Sequence, residues 1–512
     1  MREKTTHSIP ESPLAKAAAS EKKMIEKGPA TVSPPSAAGR YFSSCCVLRD
    51  ATAAPRAGFS TEYSANNAWN LSSSGELDNY NNNYNNKNNS RSVRGVRASS
   101  ASSSSGLPSL FMQDADGKVQ LEDLFEAYFE CRRTKRNSKS ALQFELDYEH
   151  NLVELCDDIN EGRYRISPSI AFVVRRPKLR EVFAADFRDR IVHHYVIRRL
   201  NPLFERLFIN DSYSCRTGKG TLYGIRRIAR FMDECSHGYT KDAYVLKLDI
   251  RGFFMHIDKA LLERKLCQFI EEQYFGRDKH IVMRLCSQIV ANDPTQGCII
   301  HGTRNDWEGL PCDKSLFHVG AGLGLPIGNL TSQLFANFYM DGFDKYVTEG
   351  LGFKHYGRYV DDFVLISDDR DRLKSSVPLL RRFLSERLHL ELHPDKVYLQ
   401  PCRHGVKFTG AVVKRGCLYV GNRTVGYCWV GITRHNAVAV SHRPTTDEVA
   451  AFRSTVNSYF GLMRHYRSWN IQRRMKRHFS PYWWNVVQMR KGYVSEKRRK
   501  LNQREIKLMR YE

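Results

Sequence analysis

The 512-residue sequence contains no run of about 18 apolar residues, which excludes a helix that spans a bilayer. Its first 30 residues lack the apolar stretch that a secretory leader needs, so a cytoplasmic protein is expected. The 13 cysteines never fall at Cys-x-x-Cys spacing, and their number is odd. Such a scattered set speaks against zinc knuckles or a disulfide framework and for reduced, buried thiols. Acidic residues are in deficit, with 55 Asp plus Glu against 79 Lys plus Arg and a net charge of +24. That excess points to a polyanion, most simply nucleic acid, with an acidic membrane surface as the alternative. No repeat of fixed period stands out. Hydrophobic residues make up 41%, enough for a large core, and the length suggests roughly two to four domains.

Residues 1–106 differ from the rest. They are rich in Ala, Ser, Pro and Asn; Ser99 to Ser105 is nearly all serine, and eleven residues from Asn66 to Asn89 are asparagine. This composition cannot bury enough apolar surface to offset chain entropy, so a disordered leader is expected. Order is expected from about Leu110. Leu121, Leu124, Phe125, Tyr128 and Phe129 fall at helical spacing, Phe144–Leu155 reads as a second helix, and Phe187–Phe208 as a third. Pro168–Arg180 reads as extended, an apolar run followed by basic residues. Tyr244–Leu248 reads as a strand running into Asp249, and Tyr356–Ser367 as a hairpin turning at Val360-Asp361-Asp362. From Asp447 to the end the pattern is helical, basic and aromatic.

The sharpest local signal is Tyr359-Val-Asp361-Asp362-Phe363 between apolar strands. Two adjacent carboxylates at a hairpin tip repel, a cost most readily accepted where cations neutralise them. Asp249, in Lys247-Leu-Asp249-Ile-Arg-Gly-Phe-Phe254, ends a second apolar strand. Three carboxylates on neighbouring strand ends could hold two Mg²⁺ about 4 Å apart, the clamp for in-line nucleotidyl transfer. An isolated Asp-Asp would read instead as a solvated turn.

These segments resemble the reverse transcriptases, whose catalytic loop is Tyr-x-Asp-Asp, over roughly residues 110 to 480. Further matches follow in the family's order: Ser214-Cys-Arg216-Thr-Gly-Lys219-Gly220, Leu325-Pro-Ile-Gly-Asn-Leu-Thr-Ser-Gln333, His393-Pro-Asp-Lys396 and Gly405-Val-Lys-Phe408-Thr-Gly410. The resemblance implies an α+β right-hand polymerase with an antiparallel palm sheet: fingers at 107–240, palm with a fingers insertion and primer grip at 241–425, and a basic helical thumb and tail at 426–512. It implies that Asp249, Asp361 and Asp362, with the Ile250 carbonyl, hold the two Mg²⁺. Arg216 and Lys219 would neutralise the triphosphate, and Phe254 would exclude a ribose 2′-OH. Ile327, Gly328 and Tyr359 would line the nucleotide, Lys396 would protonate the leaving pyrophosphate, and Phe408 and Gly410 would form the primer grip. The aromatics of the basic end, Tyr459 to Trp484, read more as thumb core than as base-stacking platforms.

Most reverse transcriptases carry Gln where this chain has Ile327 and Pro where it has Gln333. The form here resembles that of diversity-generating retroelements, whose enzyme copies a template-repeat RNA with errors opposite adenine. A Gln could hydrogen-bond near the nucleotide sugar and Ile cannot, so Ile327 and Gln333 are expected to set fidelity; losing one bond changes discrimination by roughly tenfold at most. Asn codons are adenine-rich, and the leader from about residue 60 to 97 resembles the end of a variable lectin-like protein. It reads either as a template repeat translated in frame or as a plain linker. Expected partners are template RNA, the cDNA primer or product duplex, dNTPs and a small basic accessory variability protein, with no membrane. The alternatives are a retron or phage-defence reverse transcriptase, or a catalytically dormant RNA-binding protein.

Overall fold

The computed structural model describes residues 117–135, 138–175, 178–490 and 492–497, plus the backbone of two short strands upstream. Those strands, β1 (Trp69–Leu71) and β2 (Leu77–Asn79), pair antiparallel with Trp69 opposite Asn79. They form a local hairpin inside the stretch whose composition predicts disorder. The rest of residues 1–106, including most of the stretch read as a template repeat, lies outside the described residues.

The fingers begin with α1 (Leu121–Lys135), where Glu122 and Asp123 suit the helix N-terminus and Leu124, Ala127 and Tyr128 are buried at helical spacing. The single helix expected over Phe144–Leu155 is two: α2 (Lys139–Glu145), capped by the Ser138 hydroxyl, and α3 (Tyr148–Asn160). The break falls where Asp147 leaves helical geometry to sit before α3. The extended stretch forms an antiparallel hairpin, β3 (Ile170–Val174) with β4 (Arg180–Ala184). Next come α4 (Phe187–Leu207), whose cap is the Asp186 carboxylate accepting from Arg188 N, and α5 (Thr221–Cys235).

The palm opens on β5 (Tyr244–Asp249), then α6 (Phe253–His256), α7 (Lys259–Gln273) and α8 (Lys279–Ala291). An irregular insertion follows, with β6 (Ile299–Ile300) and three short 3₁₀ turns, before α9 (Leu330–Tyr339) and α10 (Asp341–Lys345). The palm then has the hairpin β7 (His355–Tyr359) and β8 (Asp362–Ser367), α11 (Arg370–Leu388) and β9 (Tyr398–Pro401). The sheet order is β7-β8-β5-β9, antiparallel throughout.

Strand alternation explains why this sheet is sandwiched. Leu246, Leu248, Phe363 and Leu365 join the large core with the finger helices, α4 and α7 to α11. Their neighbours Val245, Val364 and Ile366 face the other way, into a second core with α5 and the hairpin of β10 (Val406–Phe408) and β11 (Ala411–Lys414). With both faces covered, the strand ends are where polar chemistry can meet solvent.

After β12 (Cys417–Val420), the thumb packs α12 (Asn422–Ser441), α13 (Thr446–Met463), α14 (Trp469–Arg477) and α15 (Trp483–Val486) about their own core. Tyr459, Phe460, Phe479 and Trp483 are buried in it, whereas Trp469 and Tyr482 are exposed. The end is not wholly helical as the pattern suggested. β13 (Val487–Arg490) and β14 (Tyr493–Glu496) form a hairpin, which Asn457 of α13 holds by donating to Val494 O and accepting from Val494 N. Among the described residues no helix is long and apolar enough to cross a membrane, and the cysteines are free thiols.

Candidate active site

The palm strands bring the three aspartates together. Asp249 closes β5 directly opposite Asp362, the first residue of β8. Asp361 sits in the turn between β7 and β8, and its carbonyl accepts from Ile250 N at 3.2 Å. Ile250 is itself buried and bridges to Leu392, while His393 N donates to the Asp249 carbonyl. The turn is forced: Val360 has φ +59, a left-handed conformation that a β-branched residue adopts only under constraint. Arg358 supplies part of that constraint, donating to the Val360 carbonyl at 3.0 Å. Arg358 is 1% exposed and forms a two-pronged ion pair with the equally buried Asp344, which also accepts from Tyr356 Oη.

Burial raises the Asp361 carboxyl above the ordinary carboxylate range, and the charge of Asp249 adds to it. Burial pushes Asp362 up to about 6, against the pull of Lys247, whose Nζ lies 3.0 Å from Asp362 Oδ1. Lys396 Nζ donates to the Asp249 carboxylate. Two lysines thus stand as internal counterions to the aspartates. In this arrangement no three Asp, Glu, His or Cys side chains among the described residues are gathered into a ready metal cage. The donor set nevertheless fits a hard divalent cation: carboxylate oxygens gathered at adjacent strand ends.

The nucleotide-facing segments are built around the same strand ends. Phe254 O accepts from Leu325 N at 2.7 Å, which places the expected steric gate beside the segment Leu325–Asn329. Ile327 packs on Ala171, Phe183, Met255 and Leu316, and its carbonyl accepts from Phe183 N. Gly328 has φ +130, and a Cβ there would lie 2.8 Å from Val182 Cγ1 and 3.0 Å from Phe183 O. Only glycine fits that position. Gln333 points toward the fingers, where its side-chain oxygen takes a hydrogen bond from the Cys215 thiol. Tyr359 pairs with Asp362 across the hairpin. Phe408 packs its ring on Tyr213, and Gly410, at φ +84, accepts from Gly421 N at the hairpin tip.

Arg216 departs from its expected role. It is buried, with its guanidinium spent on Glu205 and on the carbonyls of Ile209 and Ser212, so it braces the fingers segment and is not free for a triphosphate. Lys219 donates to the Asn210 carbonyl, and burial with the nearby Arg216 charge brings its pKa down to about 8. Besides Lys247 and Lys396, two cations that no motif marked stand near the carboxylates. Lys178 is depressed by burial first, then by the charges of Arg180, Arg423 and Lys396, while Asp249 acts in the opposite sense. Arg180 and Lys396 act in turn on Asp361. Lys178 and Arg180 lie at the start of β4, and their signal was the basic run Arg175 to Arg180 after an apolar strand.

Residues 176–413 match the family model for reverse transcriptase (RNA-dependent DNA polymerase). Protein YkfC of Escherichia coli K12 is 24% identical over 307 residues, covering 53% of this chain and 73% of that protein. Among solved structures, a truncated apo telomerase of Candida tropicalis is 14% identical at a TM-score of 0.36, covering 50% of this chain and 56% of that one. Telomerase of Candida albicans in complex with a telomeric RNA fragment is 11% identical at a TM-score of 0.36, covering 66% and 60% respectively. The chain therefore spans a little over half the length of these telomerases. Over residues 176–413, somewhat under half of its length, the chain is similar to the reverse transcriptase domain of RNA-directed DNA polymerases.

Proposed function

We propose that this chain copies a template-repeat RNA into error-prone cDNA as the polymerase of a diversity-generating retroelement. The observation that carries the polymerase reading is the register of Asp249 against Asp362, with Asp361 at the adjoining turn and Lys178, Arg180 and Lys396 in their electrostatic surroundings. The mutagenic reading is supported by Ile327, an apolar side chain packed among apolar neighbours where a hydrogen-bonding residue would police the base pair.

Asp249, Asp361 and Asp362, with the Ile250 carbonyl, would hold two Mg²⁺; when bound, the ions neutralise the transferring phosphoryl group and make the primer 3′-OH a better nucleophile. The rest is the work of the chain. Lys178, Arg180 and Arg423 bind the triphosphate, with Lys219 at the fingers turn. Phe254 sits at the sugar, and the Ile327–Gly328 backbone and Tyr359 form the floor. The primer 3′ oxygen bonds to the α-phosphorus as the bond to pyrophosphate breaks, and Lys396, released from Asp249, protonates the departing oxygen. Phe408 and Gly410 hold the primer end, and the basic thumb lies along the duplex backbone. Template RNA and a small basic accessory protein are the partners of this reading, and free thiols suit the cytoplasm.

Primer extension on a defined RNA, with Mg²⁺ and dNTPs, tests it against Asp361→Ala. Products that vanish in the variant and carry errors mainly opposite template adenine are expected. Accurate products would leave the polymerase and remove the mutagenic reading, moving the chain to the retron type. No product, even with native template RNA and the accessory protein, would make it a dormant RNA-binding fold.

A further inference from the structure

Glu181 is a buried carboxylate with no part in the chemistry above. It lies on β4, 1% exposed, beside Arg180 in sequence and therefore on the opposite face of the strand. Three donors converge on it, all from the insertion between α8 and α9: Trp307 Nε1 at 2.6 Å, Ser315 Oγ at 2.7 Å and Leu316 N at 2.6 Å. The insertion grips the same hairpin elsewhere. Ile299 N and His301 N donate to Ser169 O and Ala171 O, Arg175 pairs with Asp306, and Phe317 packs on Phe183.

The insertion then runs straight into the nucleotide floor, where the stitching to β4 and its exit continues. Phe183 N donates to Ile327 O, and Ala185 N donates to Asn329 Oδ1. Glu181 through its side chain, and Phe183 and Ala185 through backbone N–H groups, thus tie the strand and its exit to residues 307–329, while the Arg180 side chain lies on the face opposite that of Glu181.

We propose that Glu181 is a positioning residue that locks the β3–β4 hairpin to the nucleotide floor through the insertion, so that Arg180 and Ile327 move as one block. This rests on the reading of Arg180 as a triphosphate contact. The fingers hairpin then cannot shift against the floor when a nucleotide enters, and the distance between the triphosphate grip and the base-pair floor is set before binding.

Glu181→Gln keeps the size and turns an amide NH₂ against a site built only of donors. Two readouts decide the matter in the intact chain. The KM for dNTP rises about tenfold while kcat stays within about twofold, because binding geometry is lost and the carboxylates are untouched. Hydrogen exchange speeds up together in residues 170–184 and 299–329. Trp307→Phe, which removes one donor of three, gives the same pattern at smaller amplitude and serves if Glu181→Gln does not fold. An unchanged KM in a folded variant, a fall in kcat alone, or faster exchange in the insertion with an unaffected hairpin would overturn the proposal. Exchange is measured without turnover, so it still decides the coupling if the wild type makes no cDNA and the polymerase reading itself fails.

Discussion

Replacing Arg358 with Met tests how the catalytic turn is held. The side chains are similar in volume, although Met stops two atoms short of the terminal guanidinium nitrogens. The substitution removes both prongs of the ion pair to Asp344 and the bond to the Val360 carbonyl. Asp344, 1% exposed, keeps only Tyr356 Oη among the donors described here. Stripping one partner from a buried pair costs about 3–5 kcal/mol, because the remaining charge is left uncompensated. Urea unfolding followed by circular dichroism measures the loss. The double variant Arg358→Met with Asp344→Leu removes that charge and leaves the Tyr356 hydroxyl unpaired, a penalty of about 1–3 kcal/mol. It is therefore more stable than Arg358→Met by about 1–2 kcal/mol. A single-variant loss below about 1 kcal/mol, or a double variant no better than the single, would refute the claim that this pair anchors the turn.

Gly328→Ala puts a Cβ against Val182 and Phe183 O at φ +130, and should cost about 1–3 kcal/mol in urea unfolding with loss of primer extension. Arg216→Ala should lower the melting temperature and leave the KM for dNTP near wild type, whereas Arg180→Ala should raise that KM roughly tenfold or more with little change in melting. His193 and His435 are buried and depressed to about 3 and about 4 by desolvation. Folded pKa values below the unfolded one give stability that is present above about pH 6.5 and is lost as pH falls through that value toward the folded pKa. Asp189 and Asp362, both raised to about 6 by burial, work the other way and regain much of the loss below about pH 6. Thermal melts should therefore show a net loss of only about 1 kcal/mol from pH 7 to pH 5, and His435→Gln should abolish it.

The catalytic core was legible because its signals are short and local. Apolar strands flanking Asp249 and the Asp361-Asp362 pair give their own direction and turn, and the in-register pairing follows from two strands ending on carboxylates. The hairpin at Phe408–Gly410 was legible for the same reason. The pairing of Arg216 was not legible because a cation in a glycine-rich turn looks the same in sequence whether it faces solvent or a half-buried Glu205 eleven residues earlier. Lys178 and Arg180 were passed over because their meaning depends on a hairpin folding back across some 180 residues to Asp361, a long-range placement that no local pattern encodes. The break between α2 and α3 turns on one residue's backbone. The closing hairpin β13–β14 depends on Asn457, some 40 residues upstream.

Lys247 and Lys396 give the palm a property of its own. With an ammonium group already against Asp362 and another against Asp249, the strand ends do not rely on bound ions for charge balance. Chelator should silence catalysis without melting the domain, and readdition should restore it without a refolding lag. On the proposed reading, the palm would stay assembled before any ion or nucleotide binds.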